Sequence, residues 1–170
     1  MGAKNSATST GNKQGPDNKP MHKCGEVGSY GSLCNSGKAS RADGSRVWER
    51  DHVPAKGTLY ARAVKRFGPF DPDVAKCVKG KVESRGMAIV IPRKVHRADS
   101  ETCGSLNKPL MKPDAETKQS MKDAIKRDTD AIQAALDDTE CGPAYAAAVK
   151  ELKEFPFEDM IKEAVKECEG

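Results

Sequence analysis

Two apolar segments in an otherwise polar chain predict the strands of a small sheet. Residues 87–92 form a continuous apolar run rich in β-branched side chains, which is typical of a strand buried on both faces. Residues 46–53 predict another strand, which ends because Pro54 cannot extend a central strand. Pro92 ends the apolar strand and suits the first turn of a helix that follows it directly.

Helical spacing of apolar residues predicts six helices around these strands. They cover residues 55–66, 73–82, 93–102, 113–137, 143–154 and 157–168. Thr58 is the expected cap of the first helix, and Gly104 lies at the C-terminal end of the third. The fourth helix has the clearest apolar stripe, so it is the firmest of the six predictions.

Composition divides the chain into three parts. Residues 1–22 are rich in Gly, Ser, Asn and Pro without apolar periodicity, so we expect a disordered tail or linker. Residues 23–112 contain both strands and should form the core domain, although glycines up to residue 46 predict only a short helix or an irregular lobe there. Residues 113–170 should form a helical extension. This order predicts an α+β fold with a mostly helical C-terminal part.

The overall composition limits the size of the core and the classes of function. Only 36% of the 170 residues are hydrophobic and 5% are aromatic, so one modest core is expected. No apolar run reaches the length of about 18 residues that a membrane span needs. The polar N-terminus lacks the apolar region of an ordinary secretory signal, so any export should use a route without a cleaved signal.

The charges are segregated along the chain. Residues 1–113 carry 21 basic and 10 acidic residues, whereas residues 114–170 carry 8 and 15. A basic segment of this size indicates a polyanionic partner, nucleic acid first, with a lysine-rich surface as the ordinary alternative. The acidic helices are expected to present solvated outer faces; alternatively they form a cover that docks on the basic half or recognises a partner.

Six widely spaced cysteines include no CxxC pair, so the usual zinc-ribbon spacing is absent. Cys24 and Cys34 would form a short disulfide loop in an oxidising compartment, or serve as reduced packing residues. We favour reduced cysteines, because nothing in the sequence points to an oxidising secretion route.

Two of the three histidines lie at the ends of predicted elements. His52 follows Asp51 at the end of the first strand, and His96 lies about one turn into the helix that follows the second. Each has an ordinary explanation: His52 as a structural residue bonding a turn, and His96 as a surface residue. In the order strand, Asp-His, strand and helix with His, they make a ββα unit. We expect both imidazoles to converge with Asp51 on one pocket.

This ββα unit resembles the His-Me finger (ββα-metal) nucleases, of which the HNH endonucleases are one branch. More narrowly, it is similar to the nuclease tips of bacterial polymorphic toxins, such as Rhs-type and other type VI-linked effectors. The residues that carry the resemblance are Arg50-Asp51-His52-Val53-Pro54, Ile89-Val90-Ile91-Pro92 and His96. The resemblance covers about residues 46–107, so it leaves the N-terminal tail and the C-terminal helices unexplained.

The resemblance implies a role for each of these polar residues. His52 matches the general base, which takes a proton from the attacking water. Asp51 and His96 match the ligands of one divalent cation, with Mg²⁺ first and Mn²⁺ or Zn²⁺ as alternatives. The middle residue of the HNH pattern has no clear match, which leaves a backbone carbonyl as the candidate for orienting His52.

Basic residues beside these positions are the expected contacts to the substrate backbone, because arginine forks bind phosphate bidentately. They are Arg50, Arg93, Arg97 and Lys56. Arg62, Lys65 and Arg66 would extend the basic track, although each alone is also an ordinary surface charge.

Together these implications predict a metal-dependent endonuclease that acts as an antibacterial effector in the cytoplasm of a target bacterial cell. DNA is the favoured substrate over RNA, and a cognate immunity protein is the expected partner, with an acidic surface that fits the basic cleft. Two other classes stay open. One is a non-catalytic nucleic-acid-binding module that uses the same basic half, and the other is a small secreted binding protein stapled by disulfides.

Overall fold

The computed structural model describes residues 23–35, 47–104 and 106–170, which form a mixed α+β fold. The predicted tail at 1–22 and most of the predicted irregular lobe lie outside the described residues. The three strands are β1 (Val27–Ser29), β2 (Trp48–His52) and β3 (Met87–Pro92). The helices are α1 (Lys56–Phe67), α2 (Pro72–Arg85), α3 (Arg93–Asp99), α4 (Met111–Asp114), α5 (Lys118–Leu136), α6 (Gly142–Glu154) and α7 (Phe157–Glu169).

Strand β3 is the centre of the sheet, with β1 and β2 antiparallel on its two sides. Residues 88–91 are all fully buried, which confirms the prediction of a strand buried on both faces. In the register of β2 and β3, Asp51 lies opposite Ile89 and His52 lies opposite Ala88. Strand β1 was not predicted, since three residues around a glycine carry no period that propensity or pattern can detect.

The helices confirm the predicted order but correct several ends. No side chain caps α1, and Thr58 lies buried in its first turn, so the predicted cap is wrong. Helix α3 stops at Asp99 rather than continuing to residue 102. Helix α5 begins after Thr117, whose side chain and that of Ser120 form a capping box.

One hydrophobic cluster joins the sheet to the helices on both sides of the predicted boundary at residue 112. Ile89 and Ile91 of β3 belong to it, as do Ile132 of α5 and Leu152 of α6. Each of these side chains is fully buried, which is worth about 1.5–3 kcal/mol apiece. Among the described residues, no helix combines the length and apolarity that crossing a membrane requires.

Two disulfides connect distant parts of the chain. Cys24 is bonded to Cys141 and Cys77 to Cys168, with Cα–Cα distances of 5.6 and 5.8 Å. The expectation of reduced cysteines is therefore wrong for these four residues, and so is the Cys24–Cys34 pairing. Spacing could not identify partners 117 and 91 residues apart, since only the packing of α6 and α7 brings them together.

The acidic C-terminal part docks on the basic part through two glutamates. Glu158 of α7 pairs with Arg62 and Arg66 of α1. Glu167, near the other end of α7, pairs with Lys81 and Arg85 of α2. At these positions α7 covers the basic part of the chain, as the alternative to purely solvated acidic faces predicted. Arg62 and Arg66 are consequently engaged within the protein and do not extend a free basic track.

Candidate active site at the end of strand β2

Strand β2 presents two different sets of side chains, one on each face. Successive side chains of a strand point to opposite faces, so Glu49 and Asp51 share one face while Arg50 and His52 share the other. We call Glu49, Asp51, His96, Ser100 and Thr102 the carboxylate cluster. We call Tyr30, Arg50, His52 and the Glu83 carbonyl the stacked cluster. The two clusters differ in their chemistry.

His96 is held between the two carboxylates of the first cluster. Its Nδ1 lies 2.6 Å from Glu49 Oε2, and its Nε2 lies 3.4 Å from Asp51 Oδ1. This arrangement arises because α3 begins directly after β3, and one helical turn brings His96 over the neighbouring strand β2. The predicted proximity of Asp51 and His96 is therefore present in the structure.

Asp51 is almost completely buried, with 1% of its surface exposed. Its Oδ1 accepts hydrogen bonds from Ser100 Oγ at 3.1 Å and from Thr102 Oγ1 at 2.5 Å. The early end of α3 makes this possible, since the chain leaves the helix at Ser100 and turns both hydroxyls toward the carboxylate. A buried carboxylate without such partners would cost several kcal/mol.

The charges of this cluster shift the pKa of its members. Burial disfavours the protonated form of His96, but the contacts and charges of Asp51 and Glu49 outweigh burial and raise its pKa. Burial likewise acts to raise the pKa of Glu49, but Arg97 and His96 outweigh it and lower that pKa. Both shifts favour the charged forms of His96 and Glu49 as a pair.

Two of the arginines expected to bind substrate are paired with Glu49. Arg97 donates from Nη2 to Oε1 at 2.9 Å and from Nε to Oε2 at 3.1 Å, and Arg93 Nε lies 3.3 Å from Oε1. Both side chains remain substantially exposed, at 59% for Arg97 and 42% for Arg93. Both guanidinium groups are at the surface, and they share the single negative charge of Glu49.

The stacked cluster is built on the ring of Tyr30, which follows β1. His52 stacks on this ring with the centroids 3.8 Å apart, and the Arg50 guanidinium lies 3.7 Å from the Tyr30 centroid. Arg50 also donates from Nη1 to the Tyr30 carbonyl at 2.8 Å. Arg50, predicted to contact substrate, thus contributes to holding His52 in place.

The contact that His52 makes through its Nε2 determines the tautomer of the ring. His52 Nε2 lies 3.1 Å from the carbonyl oxygen of Glu83, and a carbonyl can only accept a hydrogen bond. Nε2 therefore carries the hydrogen, and in the neutral ring Nδ1 holds the free lone pair. Burial lowers the pKa of His52 despite the opposing effect of Glu83, which favours the neutral ring. A backbone carbonyl, the expected candidate for orienting His52, thus contacts its ring.

The expected convergence of the two imidazoles does not occur. His52 and His96 project from opposite faces of β2 and share no contact partner. The period of the strand is the reason: Asp51 and His52 are consecutive, so only one of them can face His96. The same rule places Glu49 beside Asp51, and it is the sequence pattern from which this missed residue could have been found. Thr102 and Tyr30 had no comparable pattern.

The structure brings together Asp51 and His96, the two residues predicted to bind a divalent cation. Among the described residues, no three His, Cys, Asp or Glu side chains form a metal-binding group. The 3.4 Å between Asp51 Oδ1 and His96 Nε2 is longer than a good hydrogen bond, and it is the separation of two tetrahedral ligands each about 2.1 Å from one ion. Glu49 on Nδ1 corresponds to the carboxylate that orients a metal-binding imidazole. Mg²⁺ or Mn²⁺, the cations expected from the resemblance, would complete their shells with water and phosphate oxygens.

Tyr145 of α6 adds a buried hydroxyl near these charges. The residue is fully buried, and its hydroxyl finds no hydrogen-bond partner among the described residues. Burial raises the pKa of Tyr145, and the charges of Asp51 and Asp128 raise it further. The hydroxyl therefore stays neutral, and leaving it unpaired costs about 1–3 kcal/mol.

Comparison of the chain with protein-family models, with curated proteins and with solved structures found no match. The function must therefore be argued from the residues at the end of β2.

Proposed function

We propose that this protein is a metal-dependent endonuclease that hydrolyses phosphodiester bonds, with DNA favoured over RNA. The observation that carries the proposal is the His52 imidazole, whose Nε2 faces the Glu83 carbonyl at 3.1 Å and whose Nδ1 is left as the basic nitrogen. It directly follows Asp51, which contacts His96. A neutral, oriented imidazole beside a carboxylate–imidazole pair is suited to activating water next to a cation.

In this proposal His52 Nδ1 takes a proton from water, and the resulting hydroxide attacks phosphorus. The Tyr30 ring and the Glu83 carbonyl hold the imidazole, so its base nitrogen is preorganised. Because Asp51 and His52 point to opposite faces of β2, the proposal requires the scissile phosphate to lie across the end of the strand.

Asp51 and His96 would hold the divalent cation, which supplies charge stabilisation for the phosphorane and the leaving oxygen. Glu49 would orient His96 through Nδ1. Arg93 and Arg97 would contribute to substrate binding only by exchanging Glu49 for phosphate, since both guanidinium groups are paired with that carboxylate. Lys56 would likewise exchange the Glu83 carboxylate, which lies 2.7 Å from its Nζ, for a phosphate of the substrate.

Cleavage of plasmid DNA and of a structured RNA tests this proposal. Wild type should cleave in the presence of Mg²⁺, and EDTA should abolish cleavage. His52→Ala should lower the rate at least about 100-fold, the usual contribution of a general base. His22→Ala, at the remaining histidine, which lies in sequence at the end of the expected N-terminal tail, is the control and should cleave normally. Equal rates for wild type and folded His52→Ala would refute the assignment.

A non-catalytic nucleic-acid-binding module is the second candidate, and the saturation of the carboxylate cluster favours it. Asp51 Oδ1 already has two hydroxyl donors, and both nitrogens of His96 face carboxylates. Such a network also suits a purely structural role. This candidate predicts that wild type binds DNA but leaves it intact at every divalent cation concentration.

A disulfide-stapled binding protein is the third candidate, favoured by the Cys24–Cys141 and Cys77–Cys168 bonds. Titration of native protein with a thiol reagent should find at least four of the six cysteines blocked. Reduction should then abolish partner binding if the disulfides organise the binding surface. Retention of nuclease activity after reduction would instead favour the endonuclease.

The wider biological role rests on the resemblance alone. Action as an antibacterial effector in the cytoplasm of a target cell, together with a cognate immunity protein, follows if the nuclease assignment holds. Expression of wild type in a bacterial cytoplasm should then stop growth, whereas His52→Ala should be tolerated.

A further inference from the structure

A cavity of about 720 Å³ lies beside the stacked cluster, between α1, α2 and the segment at 108–116. Its floor is apolar and includes Tyr60 and Val64 of α1 and Met111 of α4. Gly57 allows α1 to approach this closely, because a Cβ there would lie 2.3 Å from Met111 Sδ. The floor is therefore a built feature of the fold and could receive a flat apolar group.

Lysines dominate the rim of this cavity. They are Lys56, Lys65, Lys79, Lys108 and Lys112. The rim also has two glutamates, and each pairs with one lysine: Glu83 with Lys56 at 2.7 Å and Glu116 with Lys65 at 2.6 Å. The other three lysines have no ion-pair partner among the described residues. The cavity is left with an excess of three positive charges, which calls for an anionic occupant.

Glu83 connects this cavity to the candidate base. Its backbone carbonyl lies 3.1 Å from His52 Nε2, while its carboxylate pairs with Lys56 on the rim. The cavity therefore reaches the Nε2 side of the His52 ring, whereas Nδ1, the candidate base, lies on the other side of the ring from Glu83. An aromatic side chain inside a ring of lysines fits a nucleotide better than a small inorganic anion.

We propose that the cavity binds one unstacked nucleotide of a single-stranded nucleic acid, with its base on the Tyr60 side of the floor and the flanking phosphates on Lys79, Lys108 and Lys112. A single strand is required because a base in a duplex is stacked and paired and cannot enter a concave site. Aromatic floors with cationic rims are the usual means of binding single strands. The inference deepens the proposed nuclease function and rests on it for the cleavage step, but not for binding.

Binding of a fluorescent 12-nucleotide single strand to the full chain, measured by anisotropy in EDTA with His52→Ala as the background, tests the charged rim. The triple variant K79Q/K108Q/K112Q should bind at least tenfold more weakly. Its plot of log affinity against log salt should be shallower by about 2, since each phosphate contact on a single strand contributes about 0.7.

The matched control is K150Q/K153Q/K162Q, which removes the same charge from exposed lysines of α6 and α7. It should change affinity less than twofold. Equal weakening by the two triple variants would overturn the inference, because net charge and not the cavity would then determine binding.

The floor is tested with Tyr60→Leu, which retains an apolar side chain but removes the ring, and with Tyr60→Phe, which retains the ring. Leucine should weaken binding several-fold and phenylalanine should not, with thermal melting used to confirm that both variants fold. Inorganic polyphosphate should compete poorly. Competition by polyphosphate as strong as by the oligonucleotide would mean that the cavity binds charge without a base, and would overturn the inference.

The failures of the two proposals are distinguishable. If wild type cleaves DNA but the triple lysine variant binds single strands normally, the cavity inference fails and the nuclease assignment stands. If wild type never cleaves but its binding depends on the three lysines and on Tyr60, the nuclease assignment fails and the cavity remains a nucleic-acid site.

Discussion

The two faces of β2 place neighbouring residues in opposite chemical situations. On one face Asp51 is buried with hydroxyl donors from the loop after α3, and His96 is enclosed by carboxylates. On the other face stacking on Tyr30 and the Glu83 carbonyl hold the His52 ring, and no described residue hydrogen-bonds its Nδ1. The first face holds a closed network of charged and hydroxyl groups, whereas the second holds a single oriented imidazole. Substitutions on the two faces should therefore have different consequences.

The largest effect on folding is expected at Asp51. Asp51→Ala removes the acceptor for Ser100 and Thr102 and leaves His96 beside a single carboxylate, so it should destabilise the protein by about 3–5 kcal/mol. Urea unfolding of wild type and variant measures the difference. A loss below about 1 kcal/mol would show that the carboxylate cluster does not stabilise the fold.

His52→Ala should separate activity from stability. The expected loss of cleavage is at least about 100-fold, equivalent to about 2.7 kcal/mol of activation free energy. Stability should fall by only about 1 kcal/mol, because the ring is partly exposed and its one hydrogen bond is to a backbone carbonyl. Cleavage rates and urea unfolding, measured in parallel, test the two expected losses. If activity and stability fall by comparable free energies, the two faces of β2 do not differ in the way described.

Asp128 of α5 offers a second buried carboxylate for comparison, whose charged partner is its neighbour Arg127. Burial raises its pKa from the ordinary 3.8 to about 6, although Arg127 acts to lower it. The folded state therefore binds this proton more tightly than the unfolded state, and stability should fall as pH rises from about 4 to about 6.

The expected decline is roughly 2 kcal/mol, and Asp128→Asn should reduce it. Urea midpoints at pH 4, 5, 6 and 7 measure the trend in both proteins. Asp130→Asn, at an exposed position of the same helix, is the control and should keep the wild-type slope. If Asp128→Asn keeps the wild-type decline in stability between pH 4 and 6, Asp128 is not the group that causes it.

The smallest effect is expected when the carboxylate cluster is opened at Glu49. Glu49→Gln frees Arg93 and Arg97 from their shared partner, so nucleic-acid binding should strengthen severalfold and its salt dependence should steepen by about 1–2 phosphate contacts. Anisotropy titrations at several salt concentrations measure this change. Unchanged binding would indicate that these arginines lie outside the nucleic-acid interface.

Local pattern was sufficient for most of the secondary structure. The apolar run at 87–92 and the helical spacing after residue 113 predicted β3, α5, α6 and α7, although α5 begins five residues later than predicted. The end of α3 was not predictable in this way. It depends on Ser100, whose hydroxyl bonds Asp51 49 positions earlier in the chain.

The sequence by itself determined which side chains stand at the end of β2 and, through the period of a strand, that Asp51 and His52 face opposite ways. Only the tertiary structure decided what each of them meets. His52 meets a carbonyl from α2, and Asp51 meets hydroxyls from the loop after α3. Two cysteines meet partners just before α6 and on α7. The physical reason is range: backbone periodicity acts over a few residues, whereas these partners are 31 to 117 positions apart and are selected by packing around β3.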